Sequence, residues 1–304
     1  MELEKIGGVL RDPSRPLKER FRAVFTLRGL GGKTALDIML KTIQEDTSEL
    51  LKHEIAYVMG QMQDPAAIEG LIDIPNGPKM EPIVRHEAAE ALGALGKDDN
   101  IRASLAKALA SKELPVEVEE TCSLALRKLE WSKSPEENLS ANPYDSVDPA
   151  PPFPKEYSSD LGALLLNESE DLFLRYRAMF SLRNKGDEES VLALCKSLTE
   201  DKSSALFRHE VAYVLGQIQS PSSQKALLQS LHNETEHPMV RHEAAEALGS
   251  LGTPEIHEEL KKFTGPKVPQ VVRQSCEVAL DFVDYNQSGE FQYANTLNLV
   301  QSCS

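Results

Sequence analysis

The stretch IVRHEAAEALGALG, residues 83–96, returns as MVRHEAAEALGSLG at residues 239–252. LLKHEIAYVMGQMQ at 50–63 returns at the same offset as LFRHEVAYVLGQIQ at 206–219. Two further matches extend the duplication: RFRAVFTLRGLGG from Arg20 with RYRAMFSLRNKGD from Arg175, and VEETCSLALRKLE from Val118 with VRQSCEVALDFVD from Val272. Duplication at a nearly constant offset of 154 to 156 residues marks two related halves. Each half holds a shorter period, set by Gly29, Gly60 and Gly93, whose steps of 31 and 33 residues suit one helix pair per repeat. Four repeats per half account for the chain. A single pair cannot bury its apolar face, so the pairs stack into a solenoid.

Periodicity supplies the helices. In 83–96, Val84, Ala88, Ala91, Leu92 and Leu95 form one stripe at the helical spacing, as do Leu51, Ile55, Val58, Met59 and Met62 one repeat earlier. No segment alternates as a strand does. The fold class expected is all-α, an α-solenoid of eight helix pairs in two pseudo-twofold-related halves. Residues 132–159 hold six of the 18 prolines. Proline removes a backbone donor and disfavours helix in the residue before it. The expected division is therefore 1–131 as the N-terminal four-repeat half, 132–159 as a partly extended linker, and 160–304 as the C-terminal half.

The 304 residues are 40% hydrophobic and 27% charged, with a formal net charge of −15. Such a chain has the apolar content for a core but no basic surface for phosphates, which argues against nucleic acid and favours a cationic partner. Of the four cysteines, Cys122 and Cys276 fall at matched places on apolar helices, and none forms a C-x-x-C pair. They are expected as reduced thiols of an intracellular protein. The N-terminus has no signal-peptide character and no apolar run approaches membrane-spanning length, so no membrane is expected and the cytoplasm is the expected compartment.

Four of the seven histidines share one register: His53, His86, His209 and His242. Each precedes a glutamate: Glu54, Glu87, Glu210 and Glu243. The outer repeats replace the pair, with Arg22 and Arg177 in the first repeats and Glu120 and Gln274 in the fourth. On a wheel of about 100° per residue, His86 and Glu87 point away from the apolar stripe. Small neighbours (Ala89, Gly93 and Ala94; Ala56 and Gly60) leave room for a close helix or a metal. Second helices of adjacent repeats stack about 10 Å apart, which sets His53 beside His86 and His209 beside His242. Two neutral imidazoles and a carboxylate form a donor set for non-haem iron, and helical di-iron proteins use the same residue types. Halves packed face to face would oppose two such sites. A lone helix histidine is ordinarily a surface or core residue, and duplication copies residues regardless of use. Against that stands the confinement of the pairs to the inner repeats. His257-Glu258 is a fifth pair out of register, expected on the surface.

The segments LKHEIAYVMGQMQ, MEPIVRHEAAEALGALG, LFRHEVAYVLGQIQ and HPMVRHEAAEALGSLG, with NPYDSVDPAPP and SCEVALD, resemble the deoxyhypusine hydroxylase family over essentially the whole chain. The resemblance implies HEAT-type repeats and a di-iron centre with two Fe2+ ions and O2 as co-substrate. It implies hydroxylation of the deoxyhypusine residue of translation initiation factor five-A, which is then the partner, by a monomer of the cytoplasm and also the nucleus. The iron ligands it implies are His53, His86, Glu87, His209, His242 and Glu243. Glu54 and Glu210 would be the catalytic acids that meet the cationic substrate side chain. The residues alone do not separate ligand glutamates from those behind them, and Glu90 and Glu246 are candidates to orient a histidine. Two other readings are a protein-binding scaffold with structural metal sites and a helical-repeat bilin lyase.

Overall fold

The computed structural model describes residues 2–96, 98–290, 292–297 and 300. Sixteen α-helices run in order among them. They are α1 (Glu2–Arg11), α2 (Leu17–Leu30), α3 (Gly32–Glu45), α4 (Glu49–Gln61), α5 (Ile68–Leu71), α6 (Pro82–Leu95), α7 (Asp99–Leu109) and α8 (Val116–Trp131), then α9 (Leu161–Leu166), α10 (Leu172–Lys185), α11 (Glu188–Glu200), α12 (Ala205–Ile218), α13 (Gln224–His232), α14 (Pro238–Leu251), α15 (Pro254–Lys261) and α16 (Gln270–Ser288). They make the eight expected pairs. No strand occurs among the described residues; there is one isolated antiparallel bridge, Leu139 to Pro154. No described helix is long and apolar enough to cross a membrane. Packing divides the chain into one unit of Met1–Leu126 with Asp284–Ser304, and a second of Arg127–Val283. The proline-rich segment thus lies wholly in the second unit, and the C-terminal residues group with the first.

Local chemistry sets the helix ends. Ser48, Asp98, Asp171, Asp187, Ser204 and Thr253 each accept a bond from an amide of the first turn, satisfying one of its orphan donors. Pro82 and Pro238 stand at the first helical position, where a missing N–H costs nothing. The first helix of the third repeat is short in the first unit because Pro75 and Gly77 interrupt it. Its counterpart α13 lacks both and runs on to His232.

Four arginines cap helices from a distance. Arg20, Arg85, Arg175 and Arg241 are each under a tenth exposed. Each donates from Nε to a carbonyl ten residues earlier: Leu10, Pro75, Leu165 and Leu231. Those carbonyls end the first helical segment of their repeat and have no partner within it. The arginine thus ties the two halves of a repeat together. Their buried cations make further bonds: Arg175 also donates to Asp201 at 2.5 Å and stacks on Phe207 at 3.9 Å.

The register glycines let second helices touch. A Cβ on Gly60 would lie 2.8 Å from Ala91 Cα, and one on Gly216 3.0 Å from Ala247 Cα. Gly93 and Gly249 meet Ala125 and Ala279 in the same way. Such approach excludes any larger residue at either position. Gly29, the first of the periodic set, has nothing within 4 Å and marks the period without serving a contact.

Arginines replace histidine in the first repeats, and each holds an irregular segment on its unit. Arg177 donates to the Pro151 and Pro152 carbonyls and stacks on Phe153 at 4.2 Å. The Phe153 amide donates to Ser181 at 2.8 Å. Arg183, fully buried, grips Asp148 with two bonds of 2.6 and 2.7 Å. The proline-rich segment is therefore pinned onto α10. In the first unit Arg22 stands 4.8 Å from the Tyr293 ring, and the Thr296 amide donates to Thr26 at 3.3 Å.

Candidate metal centre

Each His-Glu pair sits near the start of an inner second helix: α4 and α6 in the first unit, α12 and α14 in the second. Ion pairs fix how these helices slide on one another. Lys52, one residue before His53, reaches Glu81 at 2.5 Å, and Glu81 is the residue that opens α6. Arg208, one residue before His209, grips Glu236 with bonds of 2.7 and 2.8 Å, just ahead of α14. Glycine–alanine contact then brings the axes together about two turns beyond His53 and His209.

In the first unit the rings of His53 and His86 lie 5.4 Å apart, tilted by 42°. His53 Nε2 stands 3.2 Å from Glu87 Oε2, and His86 Nε2 stands 4.0 Å from the same oxygen. One donor atom from each of the three lies within 4.8 Å of the others. In the second unit the His209 and His242 rings are 5.2 Å apart at 44°, and His209 Nε2 is 3.4 Å from Glu243 Oε2. His242, Glu243 and Glu246 form a second close group of donors. His242 Nδ1 lies 3.5 Å from Glu246 Oε1 and 3.4 Å from the Ser275 hydroxyl, which donates to Glu246 at 2.8 Å. Among the acids expected behind a ligand, Glu246 therefore touches its histidine.

The helical wheel set the His-Glu face away from the core, yet that face is buried. His86 and His242 are 0% exposed, and His53, Glu54, Glu87, His209, Glu210 and Glu243 lie between 3% and 7%. A wheel drawn for one helix does not show what packs over its polar flank, and α4, α6, α12 and α14 are inner helices with neighbours on both sides. Leu95 and Met62, at the ends of the two stripes, are half-buried. Glu54 and Glu210 follow the first histidine of their unit as buried neighbours.

His257-Glu258 behaves as the surface pair expected, with the Glu258 side chain 69% exposed. His232 pairs on the surface with Glu259. Cys122 and Cys276 are buried, and burial pushes both thiols up to about 12. Cys303 lies outside the described residues.

The model for HEAT repeats matches residues 4–93, 159–237 and 205–281. The chain is 50% identical to the deoxyhypusine hydroxylase of Drosophila pseudoobscura pseudoobscura, over 98% of this chain and 96% of that protein. It is 49% identical to the human deoxyhypusine hydroxylase, over 97% of this chain and 96% of the human one. The chain belongs to the deoxyhypusine hydroxylase family. A solved structure of human deoxyhypusine hydroxylase in complex with glycerol superposes with a TM-score of 0.86, at 49% identity, covering 93% of this chain and 96% of that one. Within this deoxyhypusine hydroxylase family chain, the sequence reading missed Ser275 and the pairs Lys52–Glu81 and Arg208–Glu236. A signal existed for Ser275: the repeat alignment puts it where the inner repeats carry glutamate.

Proposed function

We propose that this chain hydroxylates the deoxyhypusine side chain of translation initiation factor five-A to hypusine, using two ferrous ions and O2. The observation that carries the reading is the convergence, in each unit, of two buried imidazoles and a buried carboxylate from adjacent second helices. The donor set fits iron. Donors bound about 2.1 Å from one ion lie roughly 3–4.2 Å apart, so the 4.8 Å group in the first unit needs only slight closure. Imidazole and carboxylate suit a redox-active non-haem ion with open positions, and the buried Cys122 and Cys276 offer no thiolate.

His53, His86 and Glu87 would hold one ion, and His209, His242 and Glu243 the other. Iron with O2 supplies the C–H oxidation that side chains alone do not perform. The remaining work belongs to the chain. Burial holds bulk water away from the donors. Glu54 and Glu210 would accept the substrate's ammonium groups. A carboxylate in a desolvated site attracts an ammonium far more strongly than one in water, so the arm is held with a fixed carbon toward the metal. The net charge of −15 supports a basic protein partner whose association weakens as salt rises.

The test is direct. Iron-loaded protein, given O2 and the factor bearing deoxyhypusine, should add one oxygen, about 16 Da, to that side chain. Two bound ions with no mass change would overturn the activity, and binding of zinc without iron would overturn the cofactor.

A further inference from the structure

We infer that Ser275 is a positioning residue for the second unit's half of the metal centre, acting through His242; this rests on the function proposed above. Ser275 lies on α16, in a repeat with no His-Glu pair, and is fully buried. Its hydroxyl has one proton. It donates that proton to Glu246 Oε1 across 2.8 Å. The oxygen's lone pairs then face His242 Nδ1 at 3.4 Å, and Glu246 Oε1 lies 3.5 Å from the same nitrogen. Two acceptors converge on Nδ1, so that nitrogen carries the ring proton and Nε2 keeps its lone pair for a metal. Carbonyl or carboxylate partners commonly set a ligating histidine's tautomer this way; here a hydroxyl and a carboxylate share the task.

The first unit directs its hydroxyl proton differently. At the matched position stands Thr121, 2% exposed, whose hydroxyl donates 2.7 Å back to the Glu117 carbonyl of its own helix. That proton is spent within α8. Duplication gave both units a hydroxyl there, but the one in the second unit donates to a carboxylate beside a histidine, while the one in the first donates to its own helix.

Two measurements on the full-length chain test this. In metal-free protein labelled with nitrogen-15 histidine, His242 should be protonated at Nδ1, and Ser275→Ala should shift it to a tautomer mixture. In anaerobic ferrous titrations, Ser275→Ala should weaken one of the two ions about 10–100-fold and leave the other as in the native chain. Thr121→Val should leave both unchanged. A Ser275→Ala chain with the native tautomer and native affinities overturns the inference. So does equal weakening of both ions, which would mean general loosening. If the native chain binds no ferrous ion, the proposed function falls as well; native binding of two ions with an unaltered Ser275→Ala chain overturns this inference alone.

Discussion

Replacing Gly60 by alanine sets two magnitudes against each other. Alanine is favoured over glycine inside a helix by about 1 kcal/mol. The new methyl would meet Ala91 Cα at 2.8 Å and Ala91 Cβ at 2.9 Å, where ordinary contact begins at 3.4 Å. Helices α4 and α6 must then part by roughly 0.5–1 Å, and overpacking of this kind costs about 1–3 kcal/mol. Overpacking wins by about 0–2 kcal/mol. Gly8 supplies the control: it is exposed, lies within α1 and has no atom within 4 Å of a built Cβ. Gly8→Ala should raise the melting temperature and Gly60→Ala lower it, at about 2–4 °C per kcal/mol. The parted helices also carry His53 and Glu87, now 3.2 Å apart, so Gly60→Ala should bind iron more weakly while Gly8→Ala does not. Calorimetry and anaerobic ferrous titration read both effects. A Gly60→Ala chain as stable as Gly8→Ala, with native iron affinity, would show that close helix contact does not set the donor spacing.

Arg183→Met should cost about 3–5 kcal/mol in denaturant unfolding, because Asp148 is left buried without its cation; it should also open residues 134–159 to proteolysis, and native resistance there would count against pinning of that segment. His86→Ala should abolish binding of an iron while His257→Ala retains both, and equal iron content in the two variants would remove His86 from the ligand set. Burial lifts the Cys122 and Cys276 thiols to about 12 and Cys195 to about 11, from an ordinary 9.0. The folded state thus favours the neutral thiol, so stability from these groups is intact below about pH 9 and is lost as pH rises toward 12. At pH 8 the native chain should leave these three cysteines unalkylated by iodoacetamide while the denatured chain reacts rapidly, and fast native labelling would contradict their burial.

Repeat number, helix pairing and the residue types of the site were legible in the sequence, because duplication writes them twice and helical spacing is a local property. The register of His53, His86, His209 and His242 could be read from alignment alone, and so could the exclusion of His257. Burial of the His-Glu face could not. A helical wheel sees one helix, whereas burial depends on what packs against it, as in the close approach of Gly60 to Ala91 and of Gly216 to Ala247. The proline-rich segment read as a linker from its composition; its docking depends on Arg177 and Arg183 meeting carbonyls and a carboxylate some 25 to 35 residues away.

The chain's order of residues determined which side chains are available to bind a metal and on which helices they ride, since both follow from a local, repeated pattern. Tertiary packing alone decided which nitrogen of His242 faces Ser275 and Glu246, and how near Glu87 comes to His53. Those depend on distances of a few tenths of an ångström between separate helices, set by side-chain volume and charge across the contact, which no single helix encodes.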